Sequence, residues 1–281
     1  MRAEQLTDSV AYHAEGPVWS PRWGGLRWVD MLAGDVLSLQ ENGHVSRRHV
    51  GTVAAALRPR KSGGAVIGVE RSFALESPDG TLTCPDELWS DPGIRMNEGG
   101  CDPDGRFYCG SMAYDQAPGA AALYRLDPDG TVTVVLDAVT ISNGLDWTPD
   151  GSAAYYNDTA TGQVVVFDYD REAGLTNRCT FVEIPDGGRP DGLTVDSAGG
   201  VWVAIANGGQ VQCYSPQGVL SEVVDVSARK VTACTFGGDH LDQLFITTSR
   251  EGVGRGQDPL AGSLFTVKPG VCGMPVREFA G

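Results

Sequence analysis

Short apolar runs alternate with clusters of Gly, Pro and Asp along the whole chain. Typical runs are residues 65–68 (AVIG), 201–204 (VWVA) and 244–247 (LFIT). Their length suits single β-strands, and no apolar spacing typical of an amphipathic helix continues over several turns. The pattern therefore predicts an all-β protein made of many short strands that are joined by turns.

Four of the polar clusters share a Pro-Asp-Gly core, and they lie at residues 77–80 (SPDG), 102–105 (DPDG), 127–130 (DPDG) and 148–151 (TPDG). Proline presets φ at the second position of a β-turn, and glycine accepts the positive φ that often follows. Each of these clusters is therefore predicted to join two short strands.

A turn followed by a β-rich run recurs at intervals of roughly 40 to 48 residues, which is the size of a four-stranded propeller blade. The six runs are residues 26–30, 65–68, 106–109, 153–156, 201–204 and 244–247. We therefore predict a six-bladed β-propeller that forms a single domain over residues 1–281. A β-sandwich is the alternative, but even repeats over the entire chain argue against it. The N-terminal residues are expected to pair near the C-terminal segment and so close the ring.

Composition and charge restrict the partners. The net charge of −15 disfavours nucleic acid and anionic membranes. The first residues have neither a basic region nor an apolar region of the kind found in a leader peptide, and no apolar run approaches the length of a membrane span. The seven cysteines are scattered and form no CxxC motif, which favours a reduced, cytoplasmic protein. The sequence leaves the oligomeric state open.

Oxygen-bearing side chains occupy the same position in four of the six units, six residues before the Pro or Ser of the turn. They are Glu15, Asn97, Asn143 and Asp191. The matching places in the other two units, near Ala55 and Cys234, carry no such oxygen. Equivalent positions at the starts of innermost strands encircle one mouth of a propeller's channel, so we expect the four side chains to converge near the axis.

Two carboxylates and two amide carbonyls suit one divalent ion such as Ca²⁺, Mg²⁺ or Mn²⁺, and Zn²⁺ remains open although no His or Cys joins the set. Asn and Asp are also common turn residues, so any one of the four alone could be a loop cap. Four in register favour a central metal site. His13 lies two residues before Glu15 and could approach the mouth, but an exposed loop is the expectation, whereas Trp147 and Trp202 are expected in the core.

Motifs of other hydrolases and of nucleotide-binding proteins are absent. The chain has no GxSxG, HExxH or Walker A sequence. Its glycine-rich residues 252–256 (GVGRG) lack the strand-to-helix setting of a dinucleotide loop.

Several stretches resemble the regucalcin (senescence marker protein)–gluconolactonase family. They are residues 15–19 (EGPVW), 95–97 (RMN), 110–113 (GSMA), 141–147 (ISNGLDW), 190–192 (PDG), 201–203 (VWV), 207–209 (NGG) and 236–238 (FGG). They span essentially the whole chain. The resemblance implies a six-bladed propeller that hydrolyses a small-molecule sugar lactone with one divalent metal ion.

The resemblance also assigns roles to individual residues. It implies that the metal ligands are Glu15, Asn143 and Asp191, and that the substrate contacts are Arg95, Asn97 and Asp115. Asp191 is the expected general base, with the metal as Lewis acid on the lactone carbonyl.

Three residues depart from the family pattern. Asp115 stands where relatives have Glu, Tyr114 replaces an acidic residue, and Gly100 stands where vertebrate relatives have Lys. These changes are expected to alter the pocket wall. Two alternatives to a sugar lactonase stay open: a hydrolase of another ester class, such as an aryl ester or a phosphotriester, and a non-enzymatic Ca²⁺-binding or scaffold propeller.

Overall fold

The computed structural model describes residues 1–281 and contains six antiparallel sheets of four strands each. Their innermost strands pack side by side around a common axis. The predicted six-bladed β-propeller is therefore confirmed. No helix of the structure has both the length and the apolar character that crossing a membrane requires.

The strands of each blade follow from the inner edge outwards. They are β2 (Ala14–Ser20), β3 (Gly25–Asp30), β4 (Asp35–Leu39) and β5 (Val45–His49) in the first blade; β6 (Ala54–Pro59), β7 (Ala65–Val69), β8 (Ser72–Glu76) and β9 (Leu82–Thr83) in the second; β10 (Ile94–Cys101), β11 (Phe107–Ala113), β12 (Ala121–Leu126) and β13 (Val132–Val139) in the third; β14 (Ser142–Trp147), β15 (Ala153–Asp158), β16 (Gln163–Asp170) and β17 (Gly174–Glu183) in the fourth; β18 (Arg189–Val195), β19 (Val201–Ala206), β20 (Gln210–Tyr214) and β21 (Leu220–Asp225) in the fifth; and β22 (Val231–Gly237), β23 (Gln243–Thr248), β24 (Phe265–Val267) and β1 (Glu4–Gln5) in the sixth. Short 3-10 turns lie at Pro21–Trp23, Met31–Ala33, Thr159–Thr161 and Pro185–Gly187.

The sixth blade is completed from both ends of the chain. Strand β1 pairs with β24, with Glu4 opposite Thr266. The backbone N–H of Leu6 donates to the carbonyl of Leu264 at 2.8 Å. The expected closure of the ring is confirmed, and it pairs a strand that would otherwise be an open sheet edge.

The predicted Pro-Asp-Gly turns join neighbouring strands of a blade. Residues 102–105 connect β10 to β11, and residues 148–151 connect β14 to β15. Gly105 has φ of 81° and Gly151 has φ of 74°, a region that glycine enters without steric cost. The turns predicted from the sequence therefore coincide with hairpin turns of the structure.

Large aromatic side chains fill the spaces between blades. Trp147 is fully buried and meets the ring of Tyr108 edge to face, with ring centroids 5.4 Å apart. Trp202 is 2% exposed and meets Phe236 in the same way. Both tryptophans lie in the core as predicted, and burial of such rings is the main favourable contribution to packing.

Every inner strand has an irregular register near its beginning. In β2 the shift falls between Glu15 and Val18, and in β18 it falls between Pro190 and Leu193. Corresponding shifts occur in β6, β10, β14 and β22. A bulge changes the direction in which the adjacent side chain points. These irregularities therefore shape the channel mouth.

The C-terminal strap, which we define as residues 272–281, crosses the opposite mouth of the channel. Its backbone forms hydrogen bonds with loops of several blades, through Ser197, Leu241, Pro59 and Gly105. Arg277 adds a side-chain hydrogen bond to the carbonyl of Thr148 at 2.9 Å. The strap thereby ties blades that are distant in the sequence.

Candidate metal and substrate site

A cavity of about 240 Å³ opens at the mouth where the inner strands begin. The structure brings all four oxygen-bearing residues to its wall: Glu15, Asn97, Asn143 and Asp191. They come from the inner strands of four different blades. The alignment of turns therefore identified side chains that meet in space.

Asn143 and Asp191 are in direct contact. The amide nitrogen of Asn143 donates to Asp191 Oδ1 at 2.5 Å and to Thr159 Oγ1 at 3.0 Å. The carbonyl Oδ1 of Asn143 is buried and has no hydrogen-bond partner. A buried acceptor without a partner is costly, so this oxygen is free to bind a cation.

The two carboxylates of the site are buried close to each other. Glu15 is 3% exposed and Asp191 is 9% exposed. Burial raises the pKa of Asp191 to about 7, although the hydrogen bond from Asn143 opposes the shift. Burial also raises the pKa of Glu15 well above its usual value, and the charge of Asp191 adds to this effect. A nearby cation would stabilise both carboxylates in their charged forms.

The residues present fit a hard divalent ion. No group of three His, Cys, Asp or Glu side chains is placed to hold a metal ion, so the donor set needs the free amide carbonyl of Asn143 beside the two carboxylates. A set made only of oxygens suits Ca²⁺, Mg²⁺ or Mn²⁺ better than a thiolate-binding ion.

Asn97 is held differently from Asn143. Its Oδ1 accepts from Arg95 Nη1 at 2.8 Å, and its Nδ2 donates to the carbonyl of Ser142 at 2.8 Å. Both ends of this amide are therefore engaged by the protein. This arrangement fixes the orientation of Asn97 on the cavity wall.

Two carboxylates hold the chain just before the inner strands. Asp30, at the end of β3, accepts from the backbone N–H of His13 at 2.9 Å, two residues before Glu15. Asp158, at the end of β15, accepts from the N–H of Ile141 at 2.9 Å, two residues before Asn143. In the sequence, each of the two is an Asp at the end of the second strand of its blade, the first and the fourth.

Neighbouring blades also position Asp191. The amide of Asn157 donates to the backbone carbonyl of Asp191 at 2.6 Å, and Thr159 Oγ1 donates to the carbonyl of Pro190 at 2.8 Å. Thr159 also accepts from Asn143. These contacts fix the fourth and fifth blades relative to each other at the site.

Arg95 is a buried cation on the wall, and it is 4% exposed. Its hydrogen bonds go to the carbonyl of Met96, to Asn97 and to the sulfur of Met31, whereas its buried Nε has no partner. The guanidinium lies 5.6 Å from the ring centre of Tyr114, which is favourable as a cation–π contact. The Tyr114 hydroxyl in turn donates to Glu70 at 2.7 Å.

Asp115 and Gly100 do not lie where the resemblance implied. Asp115 is exposed, and its Oδ1 accepts from the backbone N–H of Ala117 at 3.0 Å. It caps this turn, and its neighbours Tyr114 and Gln116 line the cavity instead. Asp115 itself is not part of the cavity wall, and its substrate contact stays a prediction.

Gly100 lines a smaller cavity of about 70 Å³ at the opposite mouth, together with Arg58. The expectation that this residue changes the wall of the substrate pocket is therefore wrong. The reason is that Gly100 lies near the far end of β10, several residues beyond Asn97 along a strand that runs down the channel.

The expectation that His13 lies in an exposed loop is also wrong. It is 7% exposed, and its Nδ1 lies 2.6 Å from Ser249 Oγ. Burial lowers the pKa of His13 to about 4. Its Nε2 is 4.0 Å from a carboxylate oxygen of Glu15. Burial therefore favours the neutral form of this imidazole, which packs beside the candidate ligands.

Several charged residues of the cavity wall lie outside the repeated turn pattern of the sequence. They are Arg189, Lys230 and Glu251. Arg189 begins β18, whereas Lys230 and Glu251 lie just outside strands β22 and β23. No repeated pattern in the sequence marks them.

A closed six-bladed propeller with an oxygen-rich cavity at one mouth defines the class to which this chain belongs. Residues 13–250 match the family described as the SMP-30/Gluconolactonase/LRE-like region, and the chain belongs to this family. The expected resemblance is therefore confirmed.

Three relatives illustrate the similarity. Regucalcin of Danio rerio is 37% identical over 282 residues, which cover 95% of this chain and 94% of the relative. Pentonolactonase of Haloferax volcanii is 35% identical over 285 residues, which cover 98% of this chain and 97% of the relative. A crystal structure of regucalcin from Agrobacterium tumefaciens, described as a calcium-binding protein, superposes with a TM-score of 0.92 at 25% identity and covers 99% of this chain and 97% of that one.

Proposed function

We propose that the protein is a metal-dependent lactonase that opens a small sugar-type lactone. The observation that carries this proposal is the cavity wall, where two buried carboxylates lie beside an amide carbonyl that has no partner. The pentonolactonase of Haloferax volcanii, which matches nearly the full length of the chain, supports a lactone as the substrate.

Glu15, Asn143 and Asp191 are the residues proposed to hold the ion. The Glu15 and Asp191 carboxylates supply negative charge, and the unpartnered Oδ1 of Asn143 supplies a neutral donor. A bound divalent cation supplies a Lewis acid for the lactone carbonyl. The relative of known structure that is described as a calcium-binding protein supports a divalent ion as cofactor.

Asp191 is proposed as the general base as well as a ligand. Its carboxylate takes a proton from a water molecule whose oxygen attacks the lactone carbonyl carbon. The bond between that carbon and the ring oxygen then breaks, and the proton passes to the ring oxygen. The product is one open-chain hydroxy acid, so one water is consumed for each lactone.

Arg95 and Asn97 are proposed to orient the substrate. The guanidinium of Arg95 is buried and forms no hydrogen bond to a carboxylate. Its planar donors suit the ring and hydroxyl oxygens of a sugar lactone. Asn97 holds Arg95 through its Oδ1, so it fixes the direction of those donors.

A substrate panel tests the proposal. The purified protein, loaded with Ca²⁺, Mg²⁺, Mn²⁺ or Zn²⁺ in turn, is offered sugar lactones, an aryl ester and a phosphotriester. We expect lactone opening with at least one ion and much slower turnover of the other esters. Preference for an aryl ester would move the assignment to another ester class.

A calcium-binding protein without catalysis is the second candidate, and the description of the Agrobacterium tumefaciens relative favours it. It predicts tight binding of Ca²⁺ and no turnover of any lactone. The same panel therefore separates the two candidates, provided that ion binding is measured on the same samples.

A further inference from the structure

Three cations line the cavity of a chain whose net charge is −15. They are Arg95, Arg189 and Lys230. Lys230 is neutralised locally, because its Nζ lies 2.7 Å from a carboxylate oxygen of Glu251. Arg95 is buried and is held by neighbouring backbone and amide groups. Arg189 has no ion-pair partner and only one side-chain hydrogen bond, to Gln116.

Arg189 lies two residues before Asp191 on the same inner strand. Both residues line the cavity. Arg189 is half-buried, and its one side-chain hydrogen bond goes from Nη2 to Gln116 Oε1 at 3.2 Å. No carboxylate lies within ion-pair distance of its guanidinium, so most of its donors are free.

The other charges of the cavity wall indicate a role for the unpaired guanidinium of Arg189. The lining holds three carboxylates, Glu15, Asp191 and Glu251, and the buried Glu98 lies near two of them, so four carboxylates stand against the three cations. Once the proposed divalent ion is bound, the cavity therefore has a net positive charge, although the whole protein is acidic. The guanidinium can donate hydrogen bonds to the oxygens of a neutral lactone, but an anionic group gains a stronger, charge-assisted contact.

We propose that the preferred substrate is a lactone bearing an anionic substituent, a carboxylate or a phosphate, and that Arg189 is the residue that recognises it. This inference rests on the proposed function of the same site. The guanidinium N–H groups of Arg189 donate to the anionic substituent at the rim of the cavity, while the lactone ring lies deeper, beside Asp191. A competing explanation is that Arg189 only offsets the nearby carboxylates, and it predicts no discrimination between neutral and anionic lactones.

The test compares lactones that differ in charge. Gluconolactone is the neutral probe, glucarolactone carries a carboxylate, and phosphogluconolactone carries a phosphate. We expect kcat/KM to be about tenfold higher for at least one anionic lactone than for the neutral one, and this ratio should fall as salt screens the contact. The identity of the better anionic probe separates the carboxylate from the phosphate.

Variants assign the preference to Arg189. Arg189→Gln should abolish the ratio, and Arg189→Lys should retain part of it because the charge remains. Arg178→Gln is the matched control: Arg178 is exposed on the outer strand β17, forms no ion pair, and does not line the cavity. Equal kcat/KM for all three lactones, or a preference that survives in Arg189→Gln, overturns the inference.

A binding measurement distinguishes failure of the inference from failure of the proposed function. Calorimetry compares glucarate with gluconate, which differ by one carboxylate, on the metal-loaded protein. Tighter binding of glucarate that is lost in Arg189→Gln supports the recognition site even if no lactone is opened. Equal binding of both acids, together with turnover of neutral gluconolactone, sinks the inference and leaves the lactonase assignment intact.

Discussion

At the scale of single residues, the proposed ion site rests on Glu15 and Asp191, whose carboxylates are buried in one cavity. Burial raises the pKa of each. Because both pKa values are raised, the folded protein without a cation favours the protonated forms of these two acids. A bound cation would favour their charged forms instead. Each carboxylate should therefore affect ion binding more strongly than any surface carboxylate.

Glu15→Gln tests the ligand role of Glu15. The change keeps the shape of the side chain and removes its negative charge, so we expect the affinity for the divalent ion to fall by at least about tenfold. Isothermal titration and elemental analysis measure the loss. Glu172→Gln, an exposed residue of the β16–β17 turn, is the matched control and should bind the ion like the parent. Unchanged metal content in Glu15→Gln would remove this residue from the site.

Asp191→Asn separates ion binding from proton transfer. Asparagine still offers a carbonyl oxygen, but it cannot accept a proton at neutral pH. We expect kcat to fall by about a hundredfold or more even when enough ion is supplied to saturate the variant. Steady-state kinetics at saturating metal measure the effect. Turnover equal to that of the parent would leave Asp191 as a ligand alone.

The sequence predicted the four oxygen-bearing residues because they share one position in a repeated unit. It did not predict the environment of His13, Arg189 or Glu251. Each of these lies outside the repeated turn pattern, and its contacts come from different blades. The side chain of Asp115 caps a local turn, a contact that the match to the family position did not reveal, and its substrate contact stays a prediction.

At the scale of the elements, the inner strands approach one another closely where glycine occurs. A Cβ atom on Gly144 of β14 would lie 2.5 Å from the backbone nitrogen of Leu193 and 2.7 Å from the carbonyl oxygen of Asp191. Both atoms belong to β18, the strand that presents Asp191. The absence of a side chain at Gly144 therefore allows β14 and β18 to lie close together beside the cavity.

Gly144→Ala should damage both the fold and the ion site. The new methyl group must displace β18, so we expect a loss of about 1–3 kcal/mol in the free energy of unfolding. The affinity for the ion should fall as well, because Asp191 moves with its strand. Thermal unfolding and ion titration measure the two effects. Gly51→Ala is the control, because its Cβ would meet its nearest neighbour at an ordinary 3.7 Å.

The strands themselves were largely readable from the sequence. The Pro-Asp-Gly turns mark hairpins because proline and glycine restrict the backbone locally. The bulges at the beginnings of the inner strands were not readable, since they depend on how a strand packs against both neighbouring blades. The positions of these bulges are set by tertiary packing and not by the local propensities of the residues.

At the scale of the whole molecule, the ring is tied at two places. Strand β1 completes the last blade, and the C-terminal strap crosses the mouth opposite the site. Arg277 of the strap donates to the carbonyl of Thr148 at 2.9 Å and lies 3.6 Å from Asp146. These contacts join residues far apart in the sequence, so they should resist opening of the ring.

Arg277→Ala tests the strap without removing it. We expect a loss of about 1–2 kcal/mol in the free energy of unfolding, because the Thr148 carbonyl loses a charged donor. The melting temperature should fall by a few degrees, while the ion affinity changes little because the site is at the other mouth. Arg255→Ala, an exposed residue that forms no ion pair, should melt like the parent. Equal melting temperatures for both variants would show that Arg277 does not stabilise the ring.

The central claim is that one divalent ion at the channel mouth is required for opening a lactone. The most direct measurement is the initial rate of sugar-lactone hydrolysis by chelator-stripped protein as a divalent ion is added back in known amounts. The account predicts negligible turnover without the ion and a rate that rises to a plateau at one ion per chain. A stripped protein that opens the lactone as fast as the reloaded one would contradict the account.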